Sequence, residues 1–566
     1  MRYAVLAVDY DGTIASHGVV HDDTVAALET LKKTGCKLVL VTGREIEDLI
    51  AIFARLDLFD RVVGENGAVM YTPADRSFAV LGEPPPPAFV GALRARGVQP
   101  LSVGHVIVAT WEPNQAAVLD AIRDLGLELQ VIFNKGAVMV LPAGTNKATG
   151  LDHALASLQL SPHNAVGIGD AENDHAFLNL CEYAVATANA VPTLKERADW
   201  VTTAPSGRGV IELVDRMAAA NLRQTAPLLR HRIELGATAA GEPMVMPTHA
   251  TTLLVAGASG SGKSTVATAI LEQLFEQKYQ CCLIDPEGDY SNLEHAMVLG
   301  DPDDAPSVDD VVDVLHTPGQ SAVAVLLGLP LQDRPGFFNG LLARLATLQS
   351  DTGRPHWIVL DEAHHLLSDH VNAPRSLPPA LDSTMLITAH PEQLPPDVLA
   401  AVTAIVTVGD RAGEVMLRIA AALRTGTPEV PALSPGEALA WWPGDHAEPI
   451  AFRPGAPRGE RRRHLRKYAE GTLGPDKSFF FRGPRNQLRL RAQNLGMFLQ
   501  LADGVDDDTW RYHLNRGDYS SWVREAIKDF ELADEIADIE ATSDAPADAS
   551  RAAVAEAIGR RYTEAG

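Results

Sequence analysis

The chain has 566 residues, 46% hydrophobic and 21% charged, with a net charge of −25 at pH 7. That length exceeds one hydrophobic core and predicts three or four domains. No run of about 18 apolar residues occurs, so no membrane span is predicted, and the negative charge argues against a generic nucleic-acid coat, which needs a positive face.

Met1-Arg2-Tyr3-Ala4-Val5-Leu6-Ala7-Val8 is too short for a signal peptide and runs directly into a charged motif, so it reads as a buried strand. Cys36, Cys181, Cys281 and Cys282 lie in apolar contexts without metal spacing. They fit a reducing cytosol and a cytoplasmic protein.

The first strand ends in Asp9-Tyr10-Asp11-Gly12-Thr13. Carboxylates at i and i+2 of a strand end point the same way, so Asp9 and Asp11 are expected to share a Mg²⁺ ion. Gly12 permits a tight turn and Thr13 can bind phosphate. The spacing suits Asp9 as nucleophile on phosphorus and Asp11 as the acid/base serving the leaving group. Lys37–Val41 is a second apolar strand, leading to Thr42-Gly43-Arg44, where a hydroxyl and a backbone N–H can hold a phosphoryl oxygen. Pro84 to Pro87 reads as a rigid loop. Lys147 opens a helical stretch and supplies a positive charge for the phosphoryl group. Ala165–Ile168 is a strand leading into Gly169-Asp170-Ala171-Glu172-Asn173-Asp174, whose Asp170 and Asp174 can complete the Mg²⁺ site. A lone strand-end Asp is more often a helix cap; four such pieces in order point to chemistry.

On Asp9, Asp11, Thr42, Lys147, Asp170, Asn173 and Asp174, with Gly64-Glu65-Asn66-Gly67-Ala68, residues 1–217 resemble the haloacid dehalogenase superfamily, in its Cof-like branch with a type IIB cap. The resemblance implies a Rossmann-like α/β core, Mg²⁺ and an aspartyl-phosphate intermediate. It implies an α+β cap over about residues 68–143 that closes on the substrate, a small phosphorylated metabolite such as a sugar phosphate. Ala171-Glu172 stands where many relatives carry a Gly.

After a linker near residues 218–230, the apolar run Ala250–Ala256 leads into Gly257-Ala258-Ser259-Gly260-Ser261-Gly262-Lys263-Ser264-Thr265 and then a helix-forming stretch. This is the strand–loop–helix context of a P-loop. Gly257, Ser259, Gly260, Ser261, Gly262 and Thr265 would cradle the phosphates of ATP, Lys263 would reach the β and γ groups, and Ser264 would ligate Mg²⁺. Trp357–Leu360 is a strand ending in Asp361 and Glu362; Asp361 would hold Mg²⁺ through water and Glu362 would polarise the attacking water, so hydrolysis is expected. Thr388 or His390, after Leu386-Ile387, could sense the γ-phosphate. A helicase-box reading of Asp361-Glu362-Ala363-His364 needs a second ATPase lobe, and no such series follows Val408.

With the P-loop, Cys281-Cys282-Leu283-Ile284-Asp285-Pro286-Glu287-Gly288-Asp289-Tyr290, Arg232-Ile233-Glu234-Leu235-Gly236 and Pro243-Met244-Val245-Met246, residues 230–450 resemble the HerA/FtsK-like ATPases. The resemblance implies a RecA-like fold and a homo-oligomeric ring, usually hexameric, with an arginine supplied by the neighbour. Arg411, Arg418 and Arg424 are the candidates. The family's usual N-terminal β-barrel is not evident, so DNA translocation and a regulatory ATPase both stay open.

Residues 453–467 carry Arg453, Arg458, Arg461, Arg462, Arg463, Arg466 and Lys467, either a solvated linker or an anion or nucleic-acid contact, within a linker over about 452–476. Residues 473–566 read as a small, mainly helical domain. Leu488, Leu495, Phe498 and Leu499 make its core face, helices start around Thr509 and Asp518, and His513 is a packed core histidine. From Asp534 to Ser550, acids alternating with Ala and Ser suggest a partly mobile acidic tail. The chain thus reads as a bifunctional phosphatase and ATPase. The alternatives are a DNA-engaged motor with an accessory phosphatase-like unit, and a nucleotide-gated protein that binds a metabolite without turnover.

Overall fold

The computed structural model describes residues 2–134, 136–220, 222, 230–291, 293–367, 383–424, 426–445, 448–457, 478–527, 529–542 and 546–562. It divides into two compact units, 1–455 and 456–566.

The N-terminal half of the first unit is built on an eight-stranded sheet in the order Trp200–Val201, Tyr183–Ala186, Ala165–Gly169, Val5–Asp9, Lys37–Val41, Arg61–Gly64, Val69–Thr72 and Ser77–Val80. Val5–Asp9 pairs in parallel with both neighbours, and all five of its residues are buried. Helices cover both faces, which is why these strands are apolar throughout and do not alternate. The last two strands are antiparallel and extend the core sheet. They correct the expected cap boundary near residue 68: Val69 and Tyr71 face the core cluster, so 69–80 belong to the core. The separate cap layer comprises the helices Pro87–Ala95 and Gln115–Leu125 and a four-stranded antiparallel sheet, Leu129–Asn134, Ala137–Pro142, Val108–Trp111 and Ser102–Val103. It has its own core around Phe89, Leu93, Val118 and Val138.

The other half of this unit carries an eleven-stranded sheet. Seven strands are parallel, in the order Ala404–Thr407, Thr252–Ala256, Thr384–Thr388, Trp357–Leu360, Cys281–Asp285, Ser321–Val325 and Ala296–Leu299. The strands Arg232–Ala237, Pro243–Pro247, Ala438–Trp441 and Ile450–Pro454 add an antiparallel flank. All the motif residues lie at one edge, the carboxyl ends of the parallel strands, where open α/β sheets bind ligands.

The two halves meet through the opposite edges of their sheets. The Asn164 side chain donates to Gly353 O (3.2 Å), Arg354 to Gln159 O (3.0 Å), and the Tyr279 hydroxyl to Glu182 (2.8 Å). Asn164, Tyr279 and Arg354 precede the strands that lead to Asp170, Asp285 and Asp361. Each motif cluster therefore sits one five-residue strand, about 16 Å, from the seam, and the clusters lie on opposite sides of it.

The second unit pairs Phe479–Phe481 with Leu490–Ala492 and packs five helices on a core that includes Phe481, Phe498, Trp510 and Tyr519. His513 is buried, accepting from Arg482 N (3.0 Å) and meeting Asp518 at 2.8 Å, the packed role its sequence context predicts. The expected mobile acidic tail is corrected: Phe530–Ala541 and Ala547–Tyr562 are helices. Their few apolar residues, Leu532, Ile536, Val554 and Ile558, fall at helical spacing and are buried. Residues 221, 223–229 and 458–467, including most of the basic stretch, lie outside the described residues. No helix among the described residues is long and apolar enough to cross a membrane.

Candidate active sites

Three carboxylates converge at the carboxyl edge of the first sheet. Asp9 closes the central strand; Asp170 and Asp174 follow the neighbouring one. All three are buried, and their ligand oxygens lie within 4.8 Å of one another. Lys147 reaches between them, its Nζ 2.5 Å from Asp9 Oδ1 and 2.6 Å from Asp174 Oδ1. Burying three acids around one ammonium is tolerable only if the other oxygens are bonded. Asp174 Oδ2 accordingly accepts from the backbone N–H groups of Asp170 and Ala171, both at 2.8 Å. Thr13 donates to Asp170 Oδ1 (3.2 Å) and the Asn189 amide to Asp170 Oδ2 (3.3 Å).

The backbone that delivers these groups explains the glycines. At Gly12 (φ +92°) a Cβ would lie 2.3 Å from Asp170 Oδ2. At Gly67 (φ +106°) it would lie 1.9 Å from Asn146 O. Asn146 caps the helix Lys147–Ser157, accepting from Ala148 N and Thr149 N, so the close approach of Gly67 is what brings Lys147 to the two acids. Glu65, fully buried, accepts the backbone N–H groups of His105, Val106 and Ile107 (2.8, 2.7 and 2.8 Å) and pins the cap to the core.

Asp11 departs from the expectation that both strand-end carboxylates share one ion. It is outside the convergent group and pairs with Arg44 through two hydrogen bonds of 2.6 and 2.8 Å, its side chain 42% exposed. The period-two alternation holds only inside the strand, which ends at Asp9; the turn at Gly12 re-aims the next side chain. Thr42 is buried and its hydroxyl accepts from Arg44 N (3.2 Å). Beside it, Gly43 faces Asn173, Met139 of the cap and Asn66, so cap and core meet over the Thr42-Gly43-Arg44 turn. Arg44, Glu65 and Asn189 were not singled out from the sequence. Arg44 adjoins Thr42-Gly43, the one signal that could have found it.

Burial, with Asp174 alongside, pushes Asp9 up to about 8 against the lowering pull of Lys147. Burial opposes the charge of Lys147, yet Asp174 and Asp9 hold it above its ordinary value.

At the second edge, the helix Lys263–Glu276 starts from Gly262 in a left-handed conformation. Ser259, Gly260 and Ser264 are exposed, and Lys263 is buried with its ammonium 3.2 Å from Ala258 O. A Cβ on Gly257 would meet Ser261 Oγ at 2.5 Å, and one on Gly409 would meet Ser261 Cβ at 2.6 Å. Asp361 is buried, and burial with Asp285, Glu362 and Asp289 nearby pushes it up to about 8. Asp285 accepts four backbone N–H groups from Glu287 to Tyr290. It organises the loop that carries the Asp-Pro-x-Gly-x-Tyr pattern.

The structure joins Glu362, His364, Thr388 and His390. The Thr388 hydroxyl accepts from His390 N (2.9 Å) and lies 3.0 Å from His364 Nδ1. Burial pushes His364 down to about 4, so its ring is neutral near pH 7. Glu362 Oε2 is buried, 3.4 Å from the same nitrogen and without a hydrogen-bond partner. The part played by His364 was missed at the sequence level because its partner lies on a different strand. Arg411, Arg418 and Arg424 are exposed on or beside the helix Ala412–Leu423; Arg411 pairs with Glu414 and Arg418 lies 3.7 Å from Glu392.

Asp9 and Asp361 titrate above the ordinary carboxylate value in the fold. Their contribution favours the folded state at low pH and is lost as pH rises through about 8. Added Mg²⁺, which needs the ionised carboxylates, is expected to raise the thermal midpoint more at pH 8 than at pH 5. A Mg²⁺-independent profile would contradict this electrostatic reading.

The profile of the haloacid dehalogenase-like hydrolases matches residues 6–80 and 117–214, and that of the helicase HerA central domain matches 250–331. The chain is 31% identical over 221 residues to a phosphoglycolate phosphatase of Methanothermobacter thermautotrophicus, covering 37% of this chain and 97% of that protein. It is also 31% identical over 217 residues to one of Haloarcula marismortui, covering 37% and 95%. A haloacid dehalogenase-like hydrolase structure from Bacteroides thetaiotaomicron aligns at 17% identity and TM-score 0.34, over 38% of this chain and 99% of that one.

Proposed function

We infer that this chain, which belongs to the haloacid dehalogenase-like hydrolases and carries a HerA central-domain segment in the same polypeptide, is a Mg²⁺-dependent phosphatase of small phosphorylated metabolites joined to a P-loop ATPase. The observation that carries the phosphatase reading is Lys147 held between Asp9 and Asp174 with Asp170 beside them.

The donor set is all oxygen, and the acids crowd together with one ammonium for compensation, which suits a hard cation. Asp9 and Asp170, with Asp174 behind them, would hold Mg²⁺, which when bound offsets the charge of the phosphoryl oxygens. Asp9 then attacks phosphorus and the bond to the leaving oxygen breaks. Asp11, turned in from Arg44, protonates that oxygen and later takes a proton from the water that releases phosphate. Thr42 and the Gly43 N–H hold one phosphoryl oxygen, Lys147 neutralises another, and the cap excludes water.

In the ATPase half, Lys263 and Ser264 would meet the nucleotide phosphates and Mg²⁺, with Asp361 behind. Glu362, with His364 and Thr388 beside it, would orient the attacking water. The strand order, with the acidic strand one place beyond the neighbour of the P-loop strand, is what a RecA-like ATPase requires. A homo-oligomeric ring would let an exposed arginine such as Arg411 or Arg418 reach a neighbour's nucleotide.

The test is phosphate release over a panel headed by phosphoglycolate, which names the activity of the relatives, with sugar phosphates and nucleotides. Turnover of at least one metabolite, abolished by Asp9→Asn, is expected. Equal turnover by the variant would sink the nucleophile assignment.

A further inference from the structure

Where the two halves of the first unit meet, far from both clusters of acids, four imidazoles crowd around one carboxylate. His163 and Glu182 precede strands of the phosphatase sheet, and His231 immediately precedes the first strand of the other sheet. Glu182 has a side-chain exposure of 1%. His163 Nδ1 lies 2.7 Å and His231 Nε2 3.8 Å from the same oxygen, Glu182 Oε2. The three ligand atoms fall within 4.8 Å of one another.

We propose that His163, Glu182 and His231 bind a divalent transition-metal ion of the zinc class at this seam. Two imidazoles and a carboxylate are a zinc donor set, and zinc bonds of about 2.0–2.1 Å place neighbouring tetrahedral ligands about 3.3 Å apart. The two separations bracket that value, and the third, between the imidazole nitrogens, is within 4.8 Å, so small side-chain shifts bring the three atoms to one ion. His231 Nε2 is buried without a hydrogen-bond partner, as are His249 Nδ1 and His356 Nε2 beside the cluster. Three orphaned imidazole nitrogens in one place call for an explanation, and an ion supplies one. Burial also pushes His231 below its ordinary value, keeping it neutral.

The surroundings match those of ligands already oriented for metal. His163 Nε2 meets Gln277 O at 2.6 Å, which leaves Nδ1 as the donor to the ion. The Tyr279 hydroxyl bonds Glu182, and the Tyr279 ring stacks on His163 with centroids 3.7 Å apart. Arg2 sits on the other oxygen, Oε1, at 3.3 Å, while Oε2, which accepts from the Tyr279 hydroxyl at 2.8 Å, is the oxygen that faces both imidazoles. When the ion binds, His163 Nδ1 gives up to solvent the proton it shares with Glu182. Gln277, which holds His163, and Tyr279, which holds Glu182, come from the ATPase half, so the ion would fasten the two halves together.

The full chain would be loaded with Zn²⁺, passed into buffer with excess Mg²⁺ and assayed for retained metal. Wild-type and Asp9→Asn proteins are expected to keep about one Zn²⁺ per chain, and H163A/H231A protein less than a tenth of that. Should the double variant fail to fold, H231Q and the visible absorption of Co²⁺-loaded wild type replace it: tetrahedral Co²⁺ bands, lost in H231Q, support the site. Wild-type protein that retains no Zn²⁺, a histidine variant that retains as much as wild type, or Co²⁺ without tetrahedral bands would overturn it.

Discussion

Lys147→Met is expected to lower metabolite phosphate release on the order of 10³-fold or more and to destabilise the first unit by about 3–5 kcal/mol. Methionine keeps the length and packs where the aliphatic stem packs, so the change isolates the ammonium. That ammonium lies 2.5 Å from the proposed nucleophile and 2.6 Å from Asp174, with 1% of the side chain exposed. Its removal leaves two buried acids facing each other in a dry site, and the phosphoryl charge without its fixed partner. Below about pH 8 Asp9 can take up a proton in response, so the destabilisation should be smaller at pH 6 than at pH 8. Urea unfolding at both pH values, beside steady-state phosphate release, checks both effects. A variant with wild-type turnover would show that Lys147 is a structural counter-ion only.

Lys263→Ala is expected to reduce ATP hydrolysis about 10²- to 10³-fold while leaving metabolite phosphate release within about twofold. The first effect follows from the P-loop geometry: a buried lysine at the start of a helix that opens on Gly262. The second follows from the architecture. The two clusters of acids stand on opposite sides of the seam, each about a strand length away, so neither site lends a side chain to the other. Parallel assays of ATP turnover and metabolite phosphate release on one preparation decide it. The same ATP assay with duplex DNA separates the two readings of this half. Stimulation would favour the DNA-engaged motor suggested by the HerA match, and a flat rate from low to moderate salt would argue for a regulatory ATPase. Loss of both activities in Lys263→Ala would mean that the halves are coupled through the seam.

The legible parts of this chain are those in which local chemistry and local structure coincide. Asp9, Lys147, Asp170 and Asp174 sit at strand or helix ends, where a short pattern fixes both the element and the direction of the side chain, and the structure brings all four together. The P-loop is readable for the same reason. Asp11 was misplaced because the alternation argument was carried two residues beyond the end of its strand. The cap boundary shifted because Val69–Thr72 and Ser77–Val80 pair with the core sheet, a long-range choice that no local pattern reveals. The acidic tail from Asp534 to Ser550 is an expectation from composition, which does not register Ile536 at helical spacing from Leu532 before it, nor Val554 and Ile558 beyond it, all buried. The contact between His364 and Thr388 and the seam around Glu182 are assembled from positions 24 and 97 residues apart. Such clusters become visible only once the strands have been ordered in space.

Asp9 as the nucleophile is tested most directly by trapping the phosphoryl-enzyme. Wild-type protein would be mixed with the best substrate of the panel, quenched within a single turnover and digested. The peptide carrying Asp9 would then be examined by mass spectrometry. A phosphoryl adduct on Asp9 that forms and decays at the rate of phosphate release, and that is absent from Asp9→Asn protein, is the predicted result. Phosphate release at the full rate with no adduct, or with the adduct on another residue, would contradict it.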